Sequence, residues 1–360
     1  MTKDELFSLK LKAIDKKIYT VTKQKWDSIS KPLDGLGDFE NQIAKILSIN
    51  ENLDIEKLKK VLVIMCGDHG VVSEGVSQCG QEVTLSVARL LGENKSTASK
   101  MAAYAGCDVI TVDVGINCTE EIAGVRNHKV KHGTNNFTID QAMTEEEAIK
   151  AIQIGISIAE ECKQNDYTLI AAGEMGIGNT TAGTALLCGL TGIEVEKVIG
   201  RGAGLSDEGL VRKKAVINKA LNKHLLYSYE TSKEYTLNAI SKVGGLEIAA
   251  MTGIFIGSAI YGIPVLIDGV LSAVAALCAE RILPGCVDYM IASHAGREKG
   301  TKIVLDILGL NPLLNGNMAL GEGTGALMAM PLLDMALDFY RNATTFNEGK
   351  ITQYIRLDNK

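Results

Sequence analysis

The sequence predicts an α/β protein with a parallel sheet flanked by helices, and three observations predict this fold class. Short apolar runs rich in β-branched residues recur along the chain, each run ends in a polar loop that contains glycine, and each loop leads into a segment with helical periodicity. Strands that alternate with helices form right-handed crossovers and a parallel sheet. The loops that follow such strands meet at one edge of the sheet, where ligands bind.

Five predicted strands carry this pattern, at residues 61–65, 109–112, 167–171, 265–267 and 289–292. A charge-free run over residues 248–267 has the length of a membrane span. However, three glycines and Pro264 divide it into a helix, a turn and a strand, as in a buried core. We therefore expect a helix and strand in the protein interior and no membrane segment.

The two ends of the chain lie outside this alternation. Residues 3–30 and residues 331–341 both have helical patterns. We therefore expect residues 1–40 and 331–360 to form a small helical domain, and residues 41–330 to form the large α/β domain.

Composition and charge exclude several classes of function. The 360 residues include 37 Lys and Arg, 43 Asp and Glu, and 5% aromatics, without a basic block, so a nucleic acid is not an expected partner. The charged amino terminus leads into no apolar segment, which predicts no secretory signal. Eight cysteines without a Cys-x-x-Cys pair, and no His-Glu-x-x-His, favour reduced thiols in the cytoplasm and no metal.

Two glycine-rich loops are candidate anion sites. Residues 173–181 combine three glycines and Glu174 with a predicted helix start at Asn179, although a plain helix-capping turn has the same pattern. Residues 200–205 form the second loop, and Lys213 follows within two turns of helix. A fixed ammonium group behind two such loops suits a phosphate monoester, but Lys213 also fits a solvated helix face.

Further carboxylates and histidines follow the strands. Glu322 lies between glycines before a helix, which suits either a general base or a helix-capping residue. Asp113 and Asp268 each end a strand and fit ribose binding or capping equally well. Additional polar groups are expected at the same edge, namely Asp68, His69, Glu74, Ser293 and His294.

Nine segments in order resemble the nicotinate-nucleotide–dimethylbenzimidazole phosphoribosyltransferase family, which activates the lower-ligand base of cobalamin. They are residues 31–40, 68–77, 81–84, 112–115, 173–181, 202–213, 244–250, 266–269 and 320–326. The resemblance implies a Rossmann-like sheet, and transfer of phosphoribose from nicotinate mononucleotide to an aromatic base with inversion at the anomeric carbon. It also implies a homodimer or a heterodimer with a related chain, and neither a metal nor a cofactor.

The resemblance also assigns roles to residues. Glu322 falls on the catalytic base, and Glu174 falls on a carboxylate beside the ribose. Phosphate and ribose binding falls on Gly176, Gly178, Asn179, Thr180, Gly202, Gly204, Lys213, Asp268 and Ser293. Base binding falls on Ser77, Gly80, Gln81 and Leu320.

The chain departs from the family pattern near the base. Cys79 and Gly80 replace an aromatic-Pro type of pair, which leaves a benzimidazole variant, a purine or a phenolic acceptor open. Two other functions remain open. A catalytically silent nucleotide-binding subunit would partner a related chain, and a nicotinamide-dependent dehydrogenase is disfavoured because Gly-x-Gly-x-x-Gly is missing.

Overall fold

The structure, a computed structural model, describes residues 1–226 and 230–356. Its helices are α1 (Lys3–Phe7), α2 (Lys16–Ser28), α3 (Asp38–Asn50), α4 (Glu82–Gly92), α5 (Thr97–Ala105), α6 (Glu145–Gln164), α7 (Asn179–Thr191), α8 (Val195–Val198), α9 (Asp207–His224), α10 (Lys233–Val243), α11 (Leu246–Tyr261), α12 (Val270–Ile282), α13 (Lys299–Leu308) and α14 (Thr324–Asn342). Its strands are β1 (Lys60–Gly67), β2 (Cys107–Gly115), β3 (Arg126–Asn127), β4 (Leu169–Met175), β5 (Val265–Ile267), β6 (Met290–Ala292), β7 (His294–Gly296) and β8 (Leu314–Met318).

Six of the strands in the described ranges form one parallel sheet in the order β3-β2-β1-β4-β5-β6. The order reverses between β1 and β4, and this is the switch point at which open α/β sheets of this order bind ligands. The strands β7 and β8 form a separate parallel pair. The predicted α/β fold class, with its Rossmann-like parallel sheet, is confirmed.

Both faces of the sheet are buried, because successive residues of β1 enter different cores. Val61 and Val63 face a core built with α6, α7, α10, α11 and α12. Leu62 and Ile64 face a second core built with α2, α3, α5 and α14. Burial on both faces explains why β1 is a continuous apolar run.

The apolar run at residues 248–267 is the helix, turn and strand that the sequence predicts, since α11 ends at Tyr261 and β5 begins at Val265. Its helix is covered by α6, α12 and the sheet. Within the described ranges, the structure contains no helix that is long and apolar enough to cross a membrane.

Several predicted boundaries are wrong. The strand predicted at 167–171 begins at Leu169 and continues to Met175, because it pairs with β1 on one side and β5 on the other. Residues 3–30 form two helices, since Ser8 ends α1 and the Asp15 side chain caps α2. Pro331 lies inside α14, which begins earlier at Thr324. The short polar strands β3, β7 and β8 carry no sequence signal.

Helices from the two chain ends pack together on the second face of the sheet. The Trp26 ring of α2 lies 5.1 Å from the Tyr340 ring of α14, measured between centroids. α14 also contacts α3 and α5. The division into a small domain of residues 1–40 and 331–360 and a large domain of residues 41–330 stays a prediction.

Candidate active site

A cavity of about 270 Å³ lies at the carboxyl ends of β4 and β5. The loop after β4, the second glycine loop, the loop after β5 and the segment before α14 all line it. These segments are distant in the chain, from Glu174 to Gly325, but of the five loops predicted to converge only those after β4, β5 and β6 line the cavity, while the loops after β1 and β2 do not. Predicted site residues that line the cavity are Glu174, Gly176, Asn179, Thr180, Gly202, Asp268, Leu320 and Glu322.

A buried ammonium group lies behind the two glycine loops. Lys213 of α9 is fully buried, and its Nζ donates hydrogen bonds to Thr180 Oγ1 at 2.9 Å and to the Gly200 carbonyl at 3.0 Å. Burial lowers the pKa of Lys213 to about 8, while nearby Glu298 raises it. Lys213 therefore does not lie on a solvated helix face, the alternative that the sequence left open.

The backbone of the second glycine loop passes very close to this lysine. Gly202 has φ +53°, and a Cβ there would lie 2.7 Å from Thr180 Oγ1 and 3.7 Å from Lys213 Nζ. A side chain at Gly202 would therefore fill the space beside the ammonium group. The next glycine of the loop, Gly204, has φ +104° and accepts a hydrogen bond from Gln78 Nε2 through its carbonyl.

The start of α7 faces the same space. Gly178 occupies the cap position with φ +95° and offers no side-chain cap; the Asn179 and Thr181 N–H groups donate to the Gly176 and Gly178 carbonyls, so it is the Thr180 N–H that can meet an anionic ligand. The Asn179 side chain donates instead to Glu174 Oε2. A smaller cavity of about 50 Å³ adjoins this turn and is lined by Gly178, Ser77 and Arg201, among others.

The opposite side of the cavity is acidic. Burial raises the pKa of Glu174 well above its ordinary value, and the neighbouring carboxylates of Glu247, Asp268 and Glu322 raise it further. Glu298 is an exception, because it lies beside the second glycine loop, where a Cβ on Gly200 would be 3.6 Å from its Oε1; burial raises its pKa, and Lys213 lowers it. The cavity is therefore bipolar, with backbone N–H groups and an ammonium group at one end and carboxylates at the other.

Glu322 lies on a strained turn. It has φ +57° between Gly321 at +89° and Gly323 at +78°, and a left-handed conformation is costly for a residue with a Cβ. Gly173 of β4 permits this turn to come close, because a Cβ there would lie 2.9 Å from the Glu322 carbonyl carbon. A Cβ at Gly321 would lie 3.1 Å from Glu174 Oε1, so the turn also reaches that carboxylate.

The Glu322 carboxylate is only partly satisfied. Its buried Oε2 has no hydrogen-bond partner among the described residues. Burial raises the pKa of Glu322, the Ala98 N–H at the start of α5 lowers it, and Asp268 raises it. An orphaned carboxylate oxygen in a ligand-sized cavity fits a group that takes a proton from a bound molecule.

Asp268 follows β5 and is held by the start of α14. Its Oδ1 accepts a hydrogen bond from the Ala326 N–H at 3.0 Å. Burial raises its pKa, and His294 lowers it. Burial lowers the pKa of His294, and Asp268 raises it. His294 fits only because Gly325 lacks a side chain, since a Cβ there would lie 2.0 Å from the ring.

The predicted residues Ser293, Gln81 and Gly80 line neither cavity. Ser293 is buried, donates to the Ile267 carbonyl at 2.6 Å and contacts His294 Nδ1 at 2.9 Å, so it holds the His294 ring. Gln81 donates to the His69 carbonyl at 2.9 Å. The Gly80 N–H donates to Glu82 Oε1 at 3.1 Å.

The structure also shows residues that the sequence interpretation left without a role. His294 and Glu298 line the cavity, and Arg201 lines the adjoining one. His294 stood among the polar groups expected at this edge, whereas Glu298 precedes a helix with no distinguishing motif. Among the described residues there is no group of three or more His, Cys, Asp and Glu side chains that could hold a metal ion.

Comparisons with known proteins define the class of protein first. The phosphoribosyltransferase family model matches residues 11–351, so the chain belongs to the phosphoribosyltransferases. Two curated relatives specify the family. A protein of Acetivibrio thermocellus is 41% identical over 334 residues, covering 93% of this chain and 94% of its own length. A protein of Clostridioides difficile is 40% identical over 345 residues, covering 94% and 98%.

Both relatives are named nicotinate-nucleotide–dimethylbenzimidazole phosphoribosyltransferase. The crystal structure of CobT from Thermus thermophilus has a TM-score of 0.86 at 35% identity, covering 94% of this chain and 100% of that one. A crystal structure of nicotinate-nucleotide–dimethylbenzimidazole phosphoribosyltransferase from the same organism matches equally well. The chain belongs to the nicotinate-nucleotide–dimethylbenzimidazole phosphoribosyltransferase family, as its resemblance indicates.

Proposed function

We propose that this protein transfers 5-phosphoribose from nicotinate mononucleotide to a ring nitrogen of dimethylbenzimidazole or a related base. Nicotinate leaves and an α-riboside 5′-phosphate forms, for assembly of the lower ligand of cobalamin. The observation that carries this proposal is the bipolar cavity, in which Glu174 of the first glycine loop and Glu322 line the same space as the second glycine loop, with Lys213 behind both loops.

The nucleotide phosphate binds at the basic end. Lys213 supplies a charge, and the loops around Gly176, Gly178 and Gly202 supply backbone N–H groups at the start of α7. Asn179 and Thr180 line the same space, and Gly204 shapes the far side of the second loop through its contact with Gln78. Ser293 acts through His294, which it holds beside the cavity.

The acidic end suits the charge that develops during the reaction. When the bond between C1′ and the pyridinium nitrogen breaks, its electron pair passes to nicotinate and positive charge moves to the sugar. Carboxylates fixed around that carbon stabilise the transition state more than the ground state. Glu174 is placed for this role, and Asp268 borders the ribose.

Glu322 removes the proton from the attacking azole. The second nitrogen of the base forms the new bond to C1′, and the proton released from the ring N–H passes to the Glu322 carboxylate. Burial raises the pKa of this group, which makes it a stronger base than an exposed glutamate. Leu320 offers an apolar contact for the base at the cavity and Ser77 lines the smaller adjoining cavity, whereas Gly80 and Gln81 line neither.

Product analysis tests the proposal. The protein is incubated with nicotinate mononucleotide and a mixture of 5,6-dimethylbenzimidazole, benzimidazole, adenine and phenol, and the products are separated and identified by mass spectrometry. We expect stoichiometric nicotinate and an α-riboside phosphate of one preferred base. Absence of both products would refute the transfer, and turnover that appears only with a second chain would support the silent-subunit alternative.

A variant separates chemistry from binding. Glu322→Gln keeps the shape of the side chain but removes the base, so we expect turnover to fall at least about 10²-fold while nucleotide binding survives. Glu208→Gln is the matched control, because Glu208 is exposed in the first turn of α9. Wild-type turnover in Glu322→Gln would remove Glu322 from its role.

We also infer that the protein works as a homodimer in the cytoplasm. Met328, Met335 and Phe339 are exposed along one side of α14, a spacing that forms an apolar stripe. All eight cysteines are free thiols, as a reducing compartment requires. Light scattering after gel filtration tests the assembly; a monomer at micromolar concentration would contradict it.

A further inference from the structure

A buried histidine and glutamate lie beneath the first glycine loop, outside the roles assigned so far. His69 follows β1, and Glu247 lies in the first turn of α11. His69 Nε2 lies 2.8 Å from Glu247 Oε1, and both side chains are wholly inaccessible to solvent. Burying two such groups is costly unless their pairing serves the fold or the site above them.

The imidazole ring supports the loop. A Cβ at Gly178 would lie 3.1 Å from His69 Cβ, and one at Gly176 would lie 3.5 Å from His69 Nε2. On the other side, a Cβ at Gly245 would lie 2.4 Å from His69 Cε1. The ring is therefore held between α11 and the backbone that is proposed to bind phosphate.

Glu247 lies close to the same loop, because it contacts Gly67 and the backbone of Gly67 contacts Gly176. Its Oε2 lies 3.1 Å from the position of a Cβ on Gly67, at the end of β1. A Cβ on Gly176 would lie 2.2 Å from the Gly67 carbonyl oxygen, so the two backbones are in direct contact. The carboxylate consequently lies close below the strand end that carries Glu174. Its position in the first turn of α11 favours negative charge.

We propose that His69 and Glu247 are a positioning pair for the phosphoribosyl transfer: the imidazole supports the loop over residues 176–178, and the charge of Glu247 sets the electrostatic environment of Glu174. This inference rests on the proposed function and deepens it. Neither residue lines the cavity, so both act through their neighbours.

The hydrogen-bond pattern indicates how the charge is distributed. His69 Nδ1 has no partner among the described residues, and an orphaned acceptor is cheaper to bury than an orphaned charged donor. Glu247 Oε2 also has no partner among the described residues, so the contact between His69 Nε2 and Glu247 Oε1 is the hydrogen bond that joins the pair. Among the charged groups around Glu174, Glu247 is the largest contributor that raises the pKa of Glu174.

Other titratable groups surround Glu174 and Glu247 on every packed element. They are Cys66 on β1, Asp68 and His69 after β1, Asp268 after β5, His294 on β7, Glu298 before α13 and Glu322 before α14. A change in the pKa of Glu174 is therefore assigned to Glu247 by comparing a Glu247 variant with the wild type, because all the other groups are the same in both.

Glu247→Gln isolates the charge, because the amide oxygen still accepts the hydrogen bond from His69. Without the carboxylate, the pKa of Glu174 falls, so its anion persists to lower pH. We expect the acidic limb of the kcat profile to move down by at least about 0.5 pH unit. The profile is measured with nicotinate mononucleotide and dimethylbenzimidazole. An unmoved limb would overturn the electrostatic part of the proposal.

His69→Ala removes the ring that supports the loop over residues 176–178, whereas His69→Gln retains an N–H donor for Glu247. We expect His69→Ala to accelerate amide hydrogen exchange in peptides covering residues 175–182 and to raise KM for the nucleotide about 10-fold, with most of both effects reversed in His69→Gln. Asp334→Asn is the control, since it removes the partly exposed carboxylate that pairs with buried Lys60 at the other end of β1. Equal exchange in His69→Ala and wild type would overturn the supporting role.

The exchange measurement needs no substrate, which separates the two proposals. If the wild type releases no nicotinate, the transfer is refuted, while faster exchange of residues 175–182 in His69→Ala still supports the structural role of His69. If the wild type is active and neither the acidic limb nor the exchange changes in the variants, the positioning pair is refuted and the transfer stands.

Discussion

Replacing Glu322 by glycine is expected to stabilise the protein while abolishing its activity. The residue has φ +57° between two glycines that also have positive φ. A left-handed conformation costs a residue with a Cβ roughly 1–2 kcal/mol, and glycine avoids this cost. Glycine loses more conformational entropy on folding, which costs roughly 0.5–1 kcal/mol, so the net gain from relieving the strain is up to about 1.5 kcal/mol. Removing the orphaned carboxylate oxygen adds to the gain.

Two further variants separate the contributions in urea denaturation. Glu322→Ala removes the carboxylate but keeps the strain, so the unfolding free energy of Glu322→Gly is expected to exceed that of Glu322→Ala by up to about 1.5 kcal/mol. Leu225→Gly is the matched control, because Leu225 has φ +55° and is 80% exposed at the end of α9. It is expected to gain stability and keep full activity. If Glu322→Gly is no more stable than Glu322→Ala, the argument that this turn stores strain is refuted.

Three further predictions address the basic end and the approach of the two loops. Because the pKa of Lys213 is about 8, its charge is present below that pH and lost above it, so kcat/KM for the nucleotide is expected to fall as pH rises through about 8. Lys213→Met is expected to raise KM at pH 7 by about 10- to 100-fold. Lys214→Met, at the adjacent position, is the control and is not expected to raise KM. Glu298→Gln removes a negative charge from the cavity wall and is expected to lower the Kd for inorganic phosphate at pH 6.5, measured by calorimetry. A higher Kd in the variant would contradict this prediction. Gly173→Ala pushes on the backbone of Glu322, so kcat is expected to fall about 10-fold with nucleotide binding retained, and an unchanged kcat would show that the turn tolerates the shift.

The sheet could be predicted from the sequence because its strands are buried on both faces. A strand of this kind is a continuous apolar run, and a glycine loop marks its end, as at residues 61–67 and 265–269. The strand that ends at Met175 was predicted too short, because its last residues include glycine and glutamate. Those residues pair with β1 in spite of their low strand propensity, since tertiary context overrides it.

The candidate site was partly predictable for a related reason. Glu174 and Glu322 stand among glycines, and such loops indicate close backbone approach. Lys213 gave no such signal, since its charged neighbours are typical of a solvated helix face. Only the fold shows that α9 turns this one lysine inward, beneath Gly200 and Thr180. Glu298 likewise becomes visible only when α13 brings it to the cavity wall.

The glycines explain why the charged groups of this site are found so far apart in the chain. Gly173 admits the turn that carries Glu322, Gly202 admits the Thr180 hydroxyl to which Lys213 donates, and Gly325 admits the ring of His294. In each case a single Cβ would occupy the space that a functional group from a distant segment needs. The separation of the positive and negative ends of the cavity is therefore maintained by missing side chains as much as by the charged residues themselves. It follows that a glycine substitution at this edge alters the chemistry of the site without touching a charged residue.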